Sequence, residues 1–136
     1  MENNCSNYLK NPSKKIRGVF CLYLLISSVC IIAQPKIKFQ DTKKSFGFVK
    51  KGEIVKIEFS FINTGNQPLI ITDAKVECSC TSVEFPKQPV IPNSKAVVIV
   101  LFDTKSVYDR QDRIVEILSN AKNSPCKIRF KGVVLK

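Results

Sequence analysis

Between residues 55 and 61 the side chains alternate without a break. Val55, Ile57, Phe59 and Phe61 are apolar, and Lys56, Glu58 and Ser60 between them are polar. An extended chain places every second residue on one face, so this stretch predicts a strand with one side buried and one side wet. Asn63-Thr64-Gly65-Asn66 interrupts it. Gly and Asn reach positive φ at low cost, which predicts a reversal of the chain there. Pro68 has no N–H for a ladder and suits the entrance of the next strand, which Leu69, Ile70, Ile71 and Thr72 resume. The pair reads as a hairpin or as a crossing between two sheets, and it runs on into a corner, Cys78-Ser79-Cys80-Thr81.

The flanking segments follow the same grammar. Ile37–Phe39 and Phe46–Val49 are short strand candidates ahead of the Ile54–Phe61 strand. Ser82–Phe85 is another, ended by Pro86, and Asn93-Ser94 turns into the apolar run Ala96–Phe102. Asp103–Asp112 reads as a polar loop, Ile114–Leu118 as a strand, and Cys126–Leu135 as the last strand. No segment after the first 33 residues sustains a period of 3.6, so no helix is expected there. About seven short strands separated by turn signals predict an all-β, antiparallel sandwich.

Ahead of this domain the chain carries a leader. A basic segment ends at Arg17, an apolar run extends from Val19 to Ala33, and a small residue precedes Gln34. That layout is the layout of a secretory signal peptide, expected to be helical. The run is about 15 residues, short of the roughly 20 that span a bilayer as a helix. The expected organisation is a signal peptide over 1–33, a linker over 34–44 and the sandwich over 45–136. The expected location is periplasmic or extracellular. An uncleaved anchor and lipid attachment at Cys30 are the alternatives, and contact with a membrane is expected only through an uncleaved leader.

Composition removes several function classes. The chain has no histidine and no tryptophan. Without His it lacks the commonest general base and the commonest zinc ligand. No catalytic residue, cofactor or metal centre is expected, and the protein is read as a non-enzyme. From Gln34 onward there are 18 basic and 10 acidic residues. Lys127, Arg129 and Lys131 alternate with core positions of the last strand and form an outward basic stripe. They are anion-binding candidates for envelope polymer or lipid headgroups, or else a solvated face that discourages edge pairing. Glu116 is placed to neutralise part of it. No aromatic residues interleave with the stripe, so nucleic acid is not an expected partner.

On the strand from Ala96 to Phe102, Val98, Val100 and Phe102 are core positions. Val97, Ile99 and Leu101 then point the other way, where polar residues are usual. They are the candidates for a partner surface. A stripe of this kind also arises when a linker or loop covers it.

Three cysteines follow the leader: Cys78, Cys80 and Cys126. An odd number in an exported chain leaves one thiol over, or a partner outside the chain. Residues i and i+2 of a strand have Cβ atoms roughly 6–7 Å apart, whereas a disulfide needs about 3.5–4.5 Å. Cys78 and Cys80 can therefore join only if the chain bends sharply at Ser79. Cys126 is in phase with Ile128 and Phe130, facing inward, and can pair with Cys78 or Cys80 if the last strand passes the corner. Buried structural cysteines, a soft-metal site and thiol exchange all remain open on this spacing.

Phe46-Gly47, Asn63-Thr64-Gly65, Cys78-Ser79-Cys80-Thr81, Pro92, Phe102-Asp103-Thr104, Ser119-Asn120 and Lys131-Gly132-Val133 stand in a recognisable order. In that order, over most of residues 45–135, the chain resembles bacterial proteins of the domain of unknown function numbered 1573. The resemblance implies an exported immunoglobulin-like sandwich and brings no activity with it. Two positions depart from the usual pattern: Cys-Gly-Cys-Thr reads Cys-Ser-Cys-Thr, and Pro-Gly reads Pro92-Asn93. Residues and resemblance together predict a non-catalytic module that binds or scaffolds a protein of the cell envelope. A thiol redox or soft-metal protein built on Cys78, Cys80 and Cys126 is the alternative.

Overall fold

A computed structural model describes residues 33–136. The expected helical signal peptide, with Cys30, lies outside the described residues except for Ala33. Eight strands follow: β1 (Ile37–Phe39), β2 (Lys43–Lys50), β3 (Ile54–Asn63), β4 (Ile71–Val76), β5 (Thr81–Glu84), β6 (Lys95–Asp103), β7 (Asp109–Ser119) and β8 (Cys126–Leu135). They form two four-stranded sheets, β1-β3-β6-β5 and β2-β8-β7-β4, stacked as an immunoglobulin-like sandwich. Among the described residues there is no helix.

The strand expected at Ile37–Phe39, within the segment 34–44 read as a linker, is β1, and β2 begins earlier than expected, at Lys43. Two local expectations need correction. The loop read over Asp103–Asp112 is shorter, because β7 begins at Asp109, which turns into the strand at φ 65°. The pairing is antiparallel except between β2 and β8, which run parallel. β2 enters its sheet at the edge, and the chain visits the other sheet before β8 returns alongside it, so no hairpin reverses their direction.

The alternation in the sequence is what closes the core. Phe59, Val98, Val100, Phe102, Val115, Ile117, Ile128 and Phe130 are fully buried between the sheets. The Phe102 and Phe130 rings meet edge to face at 5.3 Å. Each such side chain contributes about 2 kcal/mol on burial.

β2 carries a bulge. Ser45 pairs with Lys131 but Gly47 pairs with Gly132, so two steps on β2 match one on β8. Gly47 holds φ 72°, where a Cβ would be strained. Phe46 turns inward and packs on Phe102 and Phe130, at 5.7 and 6.3 Å between ring centroids. Gly132 lies under the Phe46 ring, and a Cβ there would collide with it.

The chain passes from the first sheet to the second after Asn63, which is fully buried. Its amide donates to the carbonyls of Gln67 (2.7 Å) and Val90 (2.9 Å) and accepts from Gly65 N–H (3.0 Å) and Lys36 N–H (3.4 Å). Asn63 is thus the end of a strand and a buried hub, where the sequence suggested only a turn. Gly65 is not at positive φ. It is needed for space, because a Cβ would meet the backbone of residues 34–36. Asn93 does occupy the left-handed region, at φ 62°, which Asn tolerates and which suits its place where glycine is usual.

Candidate functional site

After Val76 leaves the edge of the second sheet, residues 77–80 turn, and Cys78 and Cys80 are joined in a disulfide with their Cα atoms 5.2 Å apart. The corner is tied at both ends: Cys80 accepts from Asp103 N–H (2.8 Å) and Cys78 from Thr81 N–H (3.2 Å). Ser79 is not at positive φ, so the replacement of glycine there strains nothing.

Cys126 does not join them. On β8 it pairs with Ile117 of β7, while β4 leaves the sheet opposite Val115, with β7 between the two sites. Its thiol donates to the Asn123 carbonyl at 3.1 Å. Burial pushes that thiol above the ordinary cysteine range, which disfavours the reactive thiolate. Among the described residues no three His, Cys, Asp or Glu side chains converge as a metal site.

The stripe Val97, Ile99 and Leu101 lies on the outer face of β6, a central strand of its sheet. Val97 is 37% exposed, and Ile99 and Leu101 are half-buried. The segment 34–44 does not cover it, because β1 pairs along β3 at the sheet edge. The stripe is one strand wide. Ile99 stands between Glu58 and Glu84, and Leu101 between Lys56 and Ser82. Lys56 and Glu58 pair at 2.9 Å, and that hydrogen bond raises the lysine and lowers the carboxyl from their usual ranges.

The basic stripe Lys127, Arg129 and Lys131 sits on the outer face of the other sheet. β8 lies between β2 and β7, so the stripe does not guard an edge. Lys127 pairs with Glu116 at 3.0 Å. Arg129 makes a two-point contact with Asp112, whose carboxyl is held below the usual range chiefly by that hydrogen bond. Lys131 has no ion pair among the described residues. It shares a depression of about 470 Å³ with Lys43, Lys44, Arg110, Arg129 and the carboxylate Asp112.

Sequence reasoning missed Lys43 and Arg110, which join Lys131 only through strand register. It also missed Phe48, which is 75% exposed. Alternation alone places Phe46 and Phe48 on one face. The glycine between them was the available signal, since an isolated glycine in a strand marks a bulge.

The comparisons bear on the fold. A family model described as a protein of unknown function, DUF1573, matches residues 37–134. No curated protein matches the chain. A protein of unknown function from Porphyromonas gingivalis W83 is 17% identical, with a TM-score of 0.64 over 74% of this chain and 48% of its own. This chain therefore spans about half the length of that structure. The ASH/PapD-like domain 7 of human CEP192 is 8% identical, with a TM-score of 0.59 over 76% of this chain and 87% of its own. The VesB protease of Vibrio cholerae is 14% identical, with a TM-score of 0.53 over 76% of this chain and 32% of its own. At these identities the likeness is one of fold.

Proposed function

This chain belongs to the DUF1573 family, and from that premise we propose that it is a non-catalytic interaction module, exported to the cell envelope, that holds a protein partner. The observation that carries this reading is the apolar row Val97, Ile99 and Leu101 on the outer face of a central strand, which β1 leaves open and which no strand among the described residues packs over. A sheet face exposed to water normally alternates to polar residues, and an apolar row left open marks a contact surface. The leader pattern of residues 1–33 supports export. The reading is consistent with a chain that has no histidine. No helix among the described residues is long and apolar enough to cross a membrane.

The test is recovery of a partner from envelope extract, with the purified protein as bait. Ile99→Lys or Leu101→Lys should abolish recovery of the specific partner. Lys127→Glu, on the opposite sheet, should not. The Ile99 variant should fold, since the new ammonium falls between Glu58 and Glu84. The same set of recovered proteins with all three variants would reject this surface.

A further inference from the structure

The outer face of the β2-β8-β7-β4 sheet ends in a group of apolar side chains. Phe48, 75% exposed, stands beside Val133, and the next outward pair is Lys50 with Leu135, the latter 46% exposed. Tyr108, 56% exposed, lies at the same end, with the ammonium groups of Lys51 and Lys136 at 5.9 and 5.5 Å from its ring centre. Phe48 faces outward because of the bulge. Without the extra residue on β2, it would follow Phe46 onto the core face. Gly47 at positive φ and Gly132 beneath the Phe46 ring both accommodate that arrangement.

Cations continue this end into the depression. Arg110 lies across from Val133, and Lys131 and Lys43 follow along the face. None of the three is in an ion pair among the described residues. Of the nearby carboxylates, Asp112 is engaged by Arg129, and Asp109 stands at the start of β7.

We infer that this face docks on an anionic phospholipid bilayer. Phe48 and Leu135 enter the boundary between headgroups and acyl chains, and Lys43, Arg110 and Lys131 pair with lipid phosphates. Charge complementarity selects the anionic partner, and each basic residue at such a surface is worth about a factor of five in binding. The apolar end selects the bilayer. A soluble polyanion would use the cations but leave Phe48 in water, whereas at a membrane interface an exposed aromatic ring is buried. This inference uses the sheet opposite to the proposed protein-binding stripe and goes beyond that reading.

The experiment is sedimentation of the full chain with vesicles of phosphatidylcholine alone or mixed in equal parts with phosphatidylglycerol. Arg110→Gln combined with Lys131→Gln should lower binding to the mixed vesicles about thirty-fold, from two such factors. Lys38→Gln combined with Lys95→Gln, the same charge change on the other sheet, should leave it unaltered. The leader is common to all variants and cancels. Phe48→Ser should lower vesicle binding about tenfold through lost apolar burial and leave any binding to soluble polyphosphate unchanged. All these positions are exposed, and thermal unfolding confirms that each variant is folded. Equal losses in the two double variants, no loss in the first, or no effect of Phe48→Ser would overturn the inference. None of these results would alter the partner-recovery test, which reads the other sheet.

Discussion

Of the chain's crossings between its two sheets, two consecutive ones, after β3 and after β4, are held in opposite ways. After β3 the crossing is closed by the buried amide of Asn63, which joins residues as distant in sequence as Lys36 and Val90. After β4 it is closed by a covalent bond between Cys78 and Cys80, only two residues apart. A cross-link restrains the unfolded chain more the longer the loop it closes, roughly as the logarithm of its length, and this loop is short. A buried amide with several backbone partners has no substitute inside the sandwich, because the partners would be left dry and unpaired. The conspicuous residues are therefore the lesser support.

Replacing each support in turn tests that contrast. Asn63→Ala should cost about 3 kcal/mol, because the Gln67 and Val90 carbonyls lose their donor in a buried site. Urea unfolding measures it, and a loss below about 1 kcal/mol would break the comparison. Removing the disulfide, by Cys78→Ser with Cys80→Ser, should cost about 1.5 kcal/mol by loop-closure entropy. A loss larger than that of Asn63→Ala would reverse the order of the two crossings.

The smallest effect belongs to the exposed pair Asp112–Arg129, which shows how far surface charge falls below either crossing. The Asp112 carboxyl is held below its usual range by Arg129. Its contribution is therefore present at pH above the ordinary aspartate range and is lost as acid carries the pH down through its lowered folded value. Asp112→Asn should lower the thermal midpoint slightly at neutral pH and not at all in strong acid. A difference that persists in acid would assign the effect to something other than the ion pair.

Much of the fold is legible in the chain because strand alternation is local. Ile57, Phe59 and Phe61, and likewise Val98, Val100 and Phe102, declare their inward face by spacing alone. The sharp bend that a Cys78–Cys80 bond requires is likewise readable from the reach of a strand. The hub role of Asn63 is not, since its partners come from the β1 lead-in and from the segment after β5. Gly65 was misread in kind: the local pattern suggested backbone freedom, and the structure shows a close approach of another chain segment. The basic site was half legible. Lys131 belongs to an evident stripe, but Lys43 and Arg110 reach it only because β2 and β7 flank β8.

By itself the sequence determined the strand-rich class, the inward face of most strands and the absence of histidine chemistry, since periodicity and composition act through neighbours a few residues away. Tertiary structure alone decided the parallel pairing of β2 with β8, the outward turn of Phe48 and the separation of Cys126 from the other two sulfurs. Each of these depends on which strands become neighbours and in what register. That is settled by the packing of two sheets, and a shift of one residue exchanges the faces of a strand.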